Sequence, residues 1–255
     1  MRLKSNGLPR RLRNRWRRTL ARALCRRPCD IRPGVPVVSF SFDDFPTSAL
    51  AVAGAILDRH GAKGTYYASL GLAGRQTDTG RIFARDDIAG LLARGHELGC
   101  HTFSHCHAWE TAPAEFERAL AMNREALAEI VPGAAFRTLS YPLSCPRPAN
   151  KKVAQGFFAC CRGGGQQFNA GRCDANYLAS YFLEQDPAPP DGAKAMIDRN
   201  RAAGGWLIFS THDVCESPTR YGCLPDRFEE VVRHAVDSGS RILPVAAAWA
   251  FVNRS

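Results

Sequence analysis

Short apolar runs alternate with longer amphipathic segments along most of the chain. The apolar runs are rich in β-branched and aromatic residues, a pattern typical of buried strands. We predict strands at 37–42, 64–68, 96–100, 136–141, 156–161, 177–183, 206–210 and 241–245. We predict helices at 48–60, 85–94, 113–130, 192–203, 225–238 and after 245. Alternating strands and helices favour an α/β fold with a mainly parallel sheet. Seven or eight such units in about 220 residues favour a barrel.

The N-terminal segment has a different pattern. Its apolar residues lie four apart, with Arg in most of the gaps: Leu8, Leu12, Trp16, Leu20 and Leu24. This spacing predicts a basic amphipathic helix within 8–27, which an anionic membrane surface would stabilise through charge and an apolar boundary. Two alternatives are a basic tail that is disordered or docked on the rest of the protein, and nonspecific contact with nucleic acid. We therefore divide the chain into an arm, 1–32, and a barrel domain, 33–255.

The net charge of +10 belongs to this arm. Of the 34 Lys and Arg residues, 11 lie within residues 1–29, so 23 remain in the rest of the chain against 24 Asp and Glu. A chain of 255 residues that is 45% hydrophobic can bury a large core. The body lacks the basic surface of a nucleic-acid-binding fold, and we expect no specific nucleic-acid partner.

No apolar run is long enough for a membrane span, and the N-terminus lacks the apolar core of a secretory signal. The ten cysteines form no paired zinc-ligand spacing and are expected to be reduced thiols. These features predict a cytoplasmic protein, which the arm could hold peripherally at the inner membrane.

Polar residues follow several predicted strands, where a parallel barrel places its catalytic groups. Asp43 and Asp44 follow the first strand, and the stretch from His101 to His105 follows the third. Further along, Tyr141 precedes Pro142, and the apolar strand at 206–210 is followed by His212 and Asp213. We expect these side chains to meet at one face.

This set of residues suits metal-assisted hydrolysis of an amide or ester. Two His at i and i+4 can lie on one side of a turn and, with a carboxylate, bind a divalent ion with open positions. Zn²⁺ is the leading candidate, and Co²⁺, Ni²⁺ or Fe²⁺ also suit these donors. The second carboxylate can take a proton from water, and a further His can protonate the leaving group.

Three stretches resemble the motifs of the polysaccharide deacetylases, also called the NodB-homology domain or carbohydrate esterase family four. They are S-F-S-F-D-D at 39–44, G-H-E-L-G-C-H-T-F-S-H at 95–105 and S-T-H-D at 210–213. The resemblance implies a deformed (β/α) barrel of about seven strands. It implies that Asp43 is the general base, that Asp44, His101 and His105 bind the metal, and that His212 is the general acid.

The resemblance also implies supporting roles. The backbone N–H of Leu143 matches the family's oxyanion donor, with Tyr141 beside it in the same motif. Thr102 would steady the loop after His101, and Asp213 would support His212. We further predict that Arg162 lies in a loop lining a sugar site, where it could face an anionic group of the substrate.

The sequence departs from the family pattern at three places. Phe45 stands where the family usually has Gly, and Ser140 stands where it has an Arg that holds the base carboxylate. Arg137 cannot replace that Arg, because an odd spacing from Ser140 on a strand puts it on the opposite face. Without a neighbouring cation, the pKa of Asp43 would be less depressed. The fourth motif, an Asp that orients the acid His, has no clear counterpart; Asp198 is a loose candidate.

The sequence thus predicts a metal-dependent hydrolase that removes an N-acetyl group from a sugar of a surface-glycan precursor or polysaccharide. The cytoplasmic expectation favours a lipid-linked or nucleotide-linked sugar. The alternatives are a deformylase or small-amide hydrolase of the same superfamily, and a catalytically impaired glycan-binding relative.

Overall fold

A computed structural model of the chain describes residues 9–184 and 192–253. Its α-helices, α1 to α8, are Arg10–Ala23, Ala55–Arg59, Arg85–Ala93, Pro113–Ile130, Pro148–Ala154, Gly192–Ala203, Pro225–Asp237 and Val245–Val252. Its strands, β1 to β12, are Pro28–Ile31, Val37–Phe42, Thr65–Ala68, Gln76–Thr77, Gly80–Arg81, Glu97–Cys100, Thr138–Ser140, Cys160–Arg162, Gly171–Asp174, Tyr181–Phe182, Trp206–Thr211 and Arg241–Ile242.

A curled parallel sheet forms the centre of the molecule. Its strand order is β10-β11-β2-β3-β6-β7-β8, and β12 pairs with the start of β2. A parallel bridge between Arg162 and Leu178 links β8 to the segment that leads into β10 at the other edge. The sheet therefore curls into a partial barrel, which confirms the predicted deformed (β/α) barrel of about seven strands.

Alternation along β2 explains the motif S-F-S-F. All six of its residues are buried. Phe40 and Phe42 pack under α7 against Phe228, whereas Ser39 accepts a hydrogen bond from the Trp206 indole at 2.9 Å. The side chains of β2 that point into the barrel are Ser39 and Ser41, and they are small because the interior of a narrow barrel is crowded. We call this direction the inward phase. Asp43 continues this inward phase beyond the strand.

The predicted elements differ from the observed ones in a few places. The helix predicted at 48–60 begins as a π-helix, Ala49–Gly54. The strand predicted at 156–161 is Cys160–Arg162, and α5 precedes it without having been predicted. The short strand pairs β1–β9 and β4–β5 were also missed. Leu8, at the start of the predicted arm helix, lies outside the described residues.

The arm packs against the barrel. Trp16 and Trp109 meet edge to face at 5.9 Å between ring centroids, and Arg17 pairs with Glu110 at 3.1 Å. β1 then pairs with β9, so the arm is docked, one of the arrangements considered above. Leu12 and Leu24, at the two ends of the apolar stripe, remain 52% and 48% exposed.

Two further buried contacts fix the end of the arm. The fully buried Lys151 donates hydrogen bonds to the carbonyls of Ala21 and Leu24 and pairs with Asp174 at 2.7 Å. Among the described residues, no helix is long and apolar enough to cross a bilayer. Membrane binding by residues 1–29 stays a prediction.

Candidate metal centre and active site

Three side chains converge where β2 and β6 end. The nearest ligand atoms of Asp44, His101 and His105 all lie within 4.8 Å of one another. The Asp44 Oδ1 atom is 3.5 Å from His101 Nε2 and 3.4 Å from His105 Nε2. The structure thus brings together the three residues predicted to bind the metal.

The orientation of His101 suits metal binding. Its Nδ1 lies 2.7 Å from the Ser140 carbonyl oxygen, which can only accept, so Nδ1 carries the proton and Nε2 is left with a free lone pair. Burial lowers the pKa of His101 to about 4, despite the opposing effect of Asp43. The ring is therefore neutral at pH 7, as a metal ligand must be.

Asp44 supplies a direct test of whether a cation fits. Its Oδ2 accepts a hydrogen bond from Thr79 at 3.2 Å, but its Oδ1 is buried without a hydrogen-bond partner. That oxygen faces the two imidazole Nε2 atoms. A buried carboxylate oxygen without a partner is costly, and a divalent cation between these three donors would satisfy it. The donor set fits a divalent metal.

Left-handed backbone shapes the loops at this site. The residues with positive φ include Asp44 at 61°, Phe45 at 52°, Thr102 at 62°, His105 at 54° and Leu143 at 59°. Such conformations are strained for residues with a side chain and tend to cluster at functional sites. Thr102 accepts a hydrogen bond from the Cys106 N–H at 3.1 Å, which closes the loop carrying both His residues.

Asp43 lies beside this triad and is paired with Arg162. The Arg162 guanidinium donates to Asp43 Oδ1, and Ser210 donates to Oδ2 at 3.4 Å. Burial alone would raise the pKa of Asp43, but Arg162, with His101 and His212, lowers it to about 2. Asp43 is therefore a carboxylate at neutral pH.

This pair corrects two expectations. We expected the pKa of Asp43 to be less depressed if no cation lies near it, but Arg162 on β8 pairs with Asp43, as the family's base-holding Arg would. We also expected Arg162 to face the substrate from a loop, but it ends a strand, is only 1% exposed and lies 4.8 Å over the Tyr67 ring. Arg137 is exposed, in keeping with its predicted outward phase.

A signal for this pair was present in the sequence. On β8, Cys160 packs in the barrel interior, so Arg162, two residues later, has the inward phase as well. Asp43 has the inward phase on β2. The sequence predicts this strand at 156–161, whereas β8 begins four residues later, at Cys160, and includes Arg162. The predicted bounds therefore left Arg162 outside the strand, and its inward direction could not be compared with that of Asp43.

His212 follows β11, with its ring beside Tyr221. Its Nδ1 is 3.3 Å from the Tyr221 carbonyl oxygen, and the two ring centroids are 5.4 Å apart. Asp213 does not hold the His212 ring. It accepts hydrogen bonds from the backbone N–H and the hydroxyl of Thr219, at 2.7 and 2.6 Å, and so shapes the loop that carries Tyr221. Asp198 pairs with His234 instead.

Leu143 and Tyr141 have different surroundings. Leu143 is 59% exposed, at the turn after β7. Tyr141 is 1% exposed and belongs to the hydrophobic core, where its ring stacks on Phe116. Its side chain is therefore not available to a substrate, contrary to the expectation that it belongs to the binding site.

Phe45 packs into the core and does not narrow the cleft. It is fully buried and stacks on Phe83 with ring centroids 4.7 Å apart. Its φ of 52° explains why Gly suits this position, since Gly adopts the left-handed region without strain.

The chain is similar to known proteins in sequence and in fold. The family model described as polysaccharide deacetylase matches residues 30–156, and together with the structural neighbours it supports a NodB-homology polysaccharide deacetylase. The match includes Asp43, Asp44, His101 and His105; Arg162 and His212 lie beyond it. Among curated proteins, none matches the sequence.

Solved structures share the fold at low identity. A family 4 acetyl xylan esterase from Clostridium thermocellum, in complex with a cobalt ion, is 18% identical with a TM-score of 0.59, covering 84% of this chain and 90% of that chain. The Xyl-CE4 domain of a multidomain xylanase from the hindgut metagenome of Trinervitermes trinervoides is 13% identical with a TM-score of 0.55, covering 85% and 90%. A CE4 family pseudoenzyme from Bacillus anthracis is also 13% identical, with a TM-score of 0.56, covering 85% and 66%.

Proposed function

We propose that the protein is a metal-dependent hydrolase that removes an N-acetyl group from a sugar. The observation that carries the proposal is the buried Asp44 Oδ1, which faces two imidazole nitrogens with no hydrogen-bond partner, next to the ionised Asp43. Zn²⁺ is the metal we favour, with Co²⁺, Ni²⁺ and Fe²⁺ as alternatives for the same donors.

Each residue then has a distinct task. A bound divalent ion would polarise the acetyl carbonyl and acidify water. Asp43 accepts the proton of the attacking water at Oδ2, while Oδ1 stays paired with Arg162. The Leu143 N–H donates to the carbonyl oxygen as it becomes negative. His212 donates a proton to the leaving nitrogen, and the Tyr221 carbonyl accepts from Nδ1–H and so orients the ring. Acetate and a free amine are the products.

The substrate we favour is a precursor of a surface glycan, with the sugar linked to a lipid or a nucleotide. We further propose a cytoplasmic location, peripheral to the inner membrane. The support is the basic arm, which would bring the protein close to anionic lipid.

The test combines metal content with hydrolysis. Mass spectrometry of the purified full chain should find about one divalent metal ion per chain, and acetate release from N-acetylated sugars should stop when the metal is chelated. Asp43→Asn should keep the metal and lose at least about 100-fold in kcat. Asp198→Asn, which alters a carboxylate outside the site, is the matched control and should keep full activity. Full activity in Asp43→Asn would refute its assignment as the base.

Two alternatives are separated by the same assay. A deformylase of the superfamily would release formate instead of acetate. A catalytically impaired glycan-binding protein would bind sugar without releasing either acid. The lack of the family's base-holding Arg at Ser140 favours impairment, whereas the contact of Arg162 with Asp43 argues against it.

A further inference from the structure

A groove of about 680 Å³ runs between α1 and the strand-end loops of the barrel. The helix lines it with Arg13, Arg17, Arg18 and Arg22. The loop side includes Leu143 and Tyr221. Its volume lies within the range of small-molecule sites.

Two residues that line the groove belong to or contact the candidate active site. Leu143 is the proposed oxyanion donor, and the Tyr221 carbonyl lies 3.3 Å from Nδ1 of His212. A sugar whose acetamido group reaches these residues would extend its other substituents toward α1.

The groove carries an excess of positive charge. Glu110 is the one carboxylate among the described residues that line it, and it is already paired with Arg17 at 3.1 Å. Arg17 also lies 5.4 Å over the Trp109 ring, so its task is to dock the helix. Arg18 and Arg22 are exposed and enter no ion pair within residues 9–184 and 192–253. These two guanidinium groups are free to bind an anion.

We propose that α1 is the anion-binding wall of the substrate cleft, and that the substrate is an N-acetylated sugar bearing a phosphate or diphosphate. A single carboxylate needs only one guanidinium, whereas phosphate oxygens can engage two or more guanidinium forks at once. The choice of a sugar rests on the proposed function; the anion site rests on the groove alone.

The binding test uses the full chain with pyrophosphate and N-acetylglucosamine 1-phosphate as probes. Calorimetry should show that Arg18→Gln/Arg22→Gln raises the Kd of both probes at least about tenfold, the effect of losing charge-assisted hydrogen bonds. The matched control is Arg11→Gln/Arg15→Gln, which removes the same charge from exposed positions of the same helix that do not line the groove. The control should change the Kd less than twofold, and Gln keeps the helix propensity of Arg in both variants.

Three results would overturn the anion site. The first is an equal loss of probe affinity in both double variants, which would indicate general charge attraction. The second is no loss of affinity in either variant. The third is binding that depends on Arg18 and Arg22 with phosphatidylglycerol vesicles but not with the soluble probes. The last result would assign these residues to a membrane surface.

The hydrolysis test separates this inference from the proposed function. The ratio of kcat/KM for N-acetylglucosamine 1-phosphate to that for uncharged N,N′-diacetylchitobiose should fall at least about tenfold in Arg18→Gln/Arg22→Gln. Hydrolysis with an unchanged ratio would refute the phosphate-bearing substrate and leave the deacetylase intact. Phosphate binding that depends on Arg18 and Arg22, with no hydrolysis of either sugar, would refute the deacetylase and leave the anion site intact.

Discussion

Asp43 combines two properties that seldom occur together in one side chain. It is 5% exposed, yet its pKa is held at about 2 by Arg162 and two nearby imidazoles, against the effect of burial. A carboxylate that acts on one water molecule is most effective when its orientation is fixed. Arg162 fixes the orientation of Asp43 because it holds Oδ1, while Oδ2 points toward Ser210.

Arg162→Met should therefore damage both stability and activity. Met keeps an unbranched apolar stem but removes the guanidinium, and so leaves Asp43 as an uncompensated buried charge. We expect the free energy of unfolding at pH 7 to fall by about 3–5 kcal/mol, measured by urea denaturation. Acetate release should fall at least about 100-fold, because Asp43, the proposed base, loses its orienting partner.

The double variant Arg162→Met/Asp43→Asn tests whether the uncompensated charge of Asp43 causes the loss of stability. Removing the carboxylate charge should restore at least half of the lost stability without restoring activity. Stability losses that simply add in the double variant would mean that the two side chains are not coupled.

Phe45 presents a conflict between backbone and side chain. Its left-handed backbone favours Gly, but its ring is fully buried against Phe83 and Tyr66. Phe45→Ala should lower the free energy of unfolding by about 3–5 kcal/mol through the cavity it leaves. Phe45→Gly leaves a cavity larger by one methyl group but relieves about 1 kcal/mol of backbone strain. We expect Gly to be the less harmful substitution in thermal and urea unfolding, and the opposite order would show that the strain is negligible.

At the scale of elements, the site depends on loops that follow strands. The loop after β6 carries His101 and His105, and its left-handed Thr102 accepts from the Cys106 N–H. This hydrogen bond fixes where His105 stands relative to His101. The loop holds the two His side chains in position. A change in this loop should therefore affect metal affinity more than the stability of the whole protein.

Thr102→Val removes that acceptor while keeping the shape of the side chain. We expect the Kd for the metal to rise about 10–100-fold, measured by competition with a chelator, as for other groups that orient metal ligands. Thr102→Ser retains the hydroxyl and should bind metal within about threefold of the native protein. Equal affinities in the Val and Ser variants would show that the hydrogen bond does not position His105.

Some of these elements could be predicted from sequence and others could not. Val37–Phe42 and Trp206–Thr211 are buried on both faces, and each is marked by large apolar residues with only small Ser or Thr residues among them. The run at 156–161 misled because its first residues follow α5 as a turn, and α5 is too short to show helical periodicity. The partnership of Arg162 with Asp43 was hidden for another reason. β8 is four places from β2 in the sheet, and only the curl of the barrel brings the two inward side chains together.

At the scale of the whole molecule, the arm closes one side of the barrel. The sequence indicates the apolar stripe and the basic charge of the arm, but it does not indicate which surface the apolar stripe contacts. Trp16 and Ala21 contact the barrel, and β1 is paired with β9, so the basic residues of α1 are held beside the candidate active site. Part of the charge excess of the arm thus lines a groove, and membrane binding by the arm stays a prediction.

The pH dependence of global stability should reveal a buried neutral His outside the site. His96 is 3% exposed, and its Nδ1 accepts a hydrogen bond from the Gly64 N–H at 3.0 Å. Burial lowers the pKa of His96 from 6.5 to about 4, although Asp58 acts in the opposite direction. Between these two values the unfolded chain takes up a proton that the folded protein does not. The stabilisation is therefore complete above pH 6.5 and is lost as the pH falls toward 4, by about 2–3 kcal/mol.

His96→Asn isolates this contribution. Its amide oxygen can accept from the Gly64 N–H but does not titrate, so the variant should lose less stability than the native protein as the pH falls from 6.5 to 4. Urea unfolding at a series of pH values gives the free energy of unfolding as a function of pH for both proteins. Because the smaller Asn side chain lowers stability at every pH, the slopes of the two curves are compared and not their heights. Parallel curves would mean that His96 takes up its proton equally in the folded and unfolded chains. Converging curves would assign part of the acid sensitivity of the barrel to one buried imidazole at the start of β6.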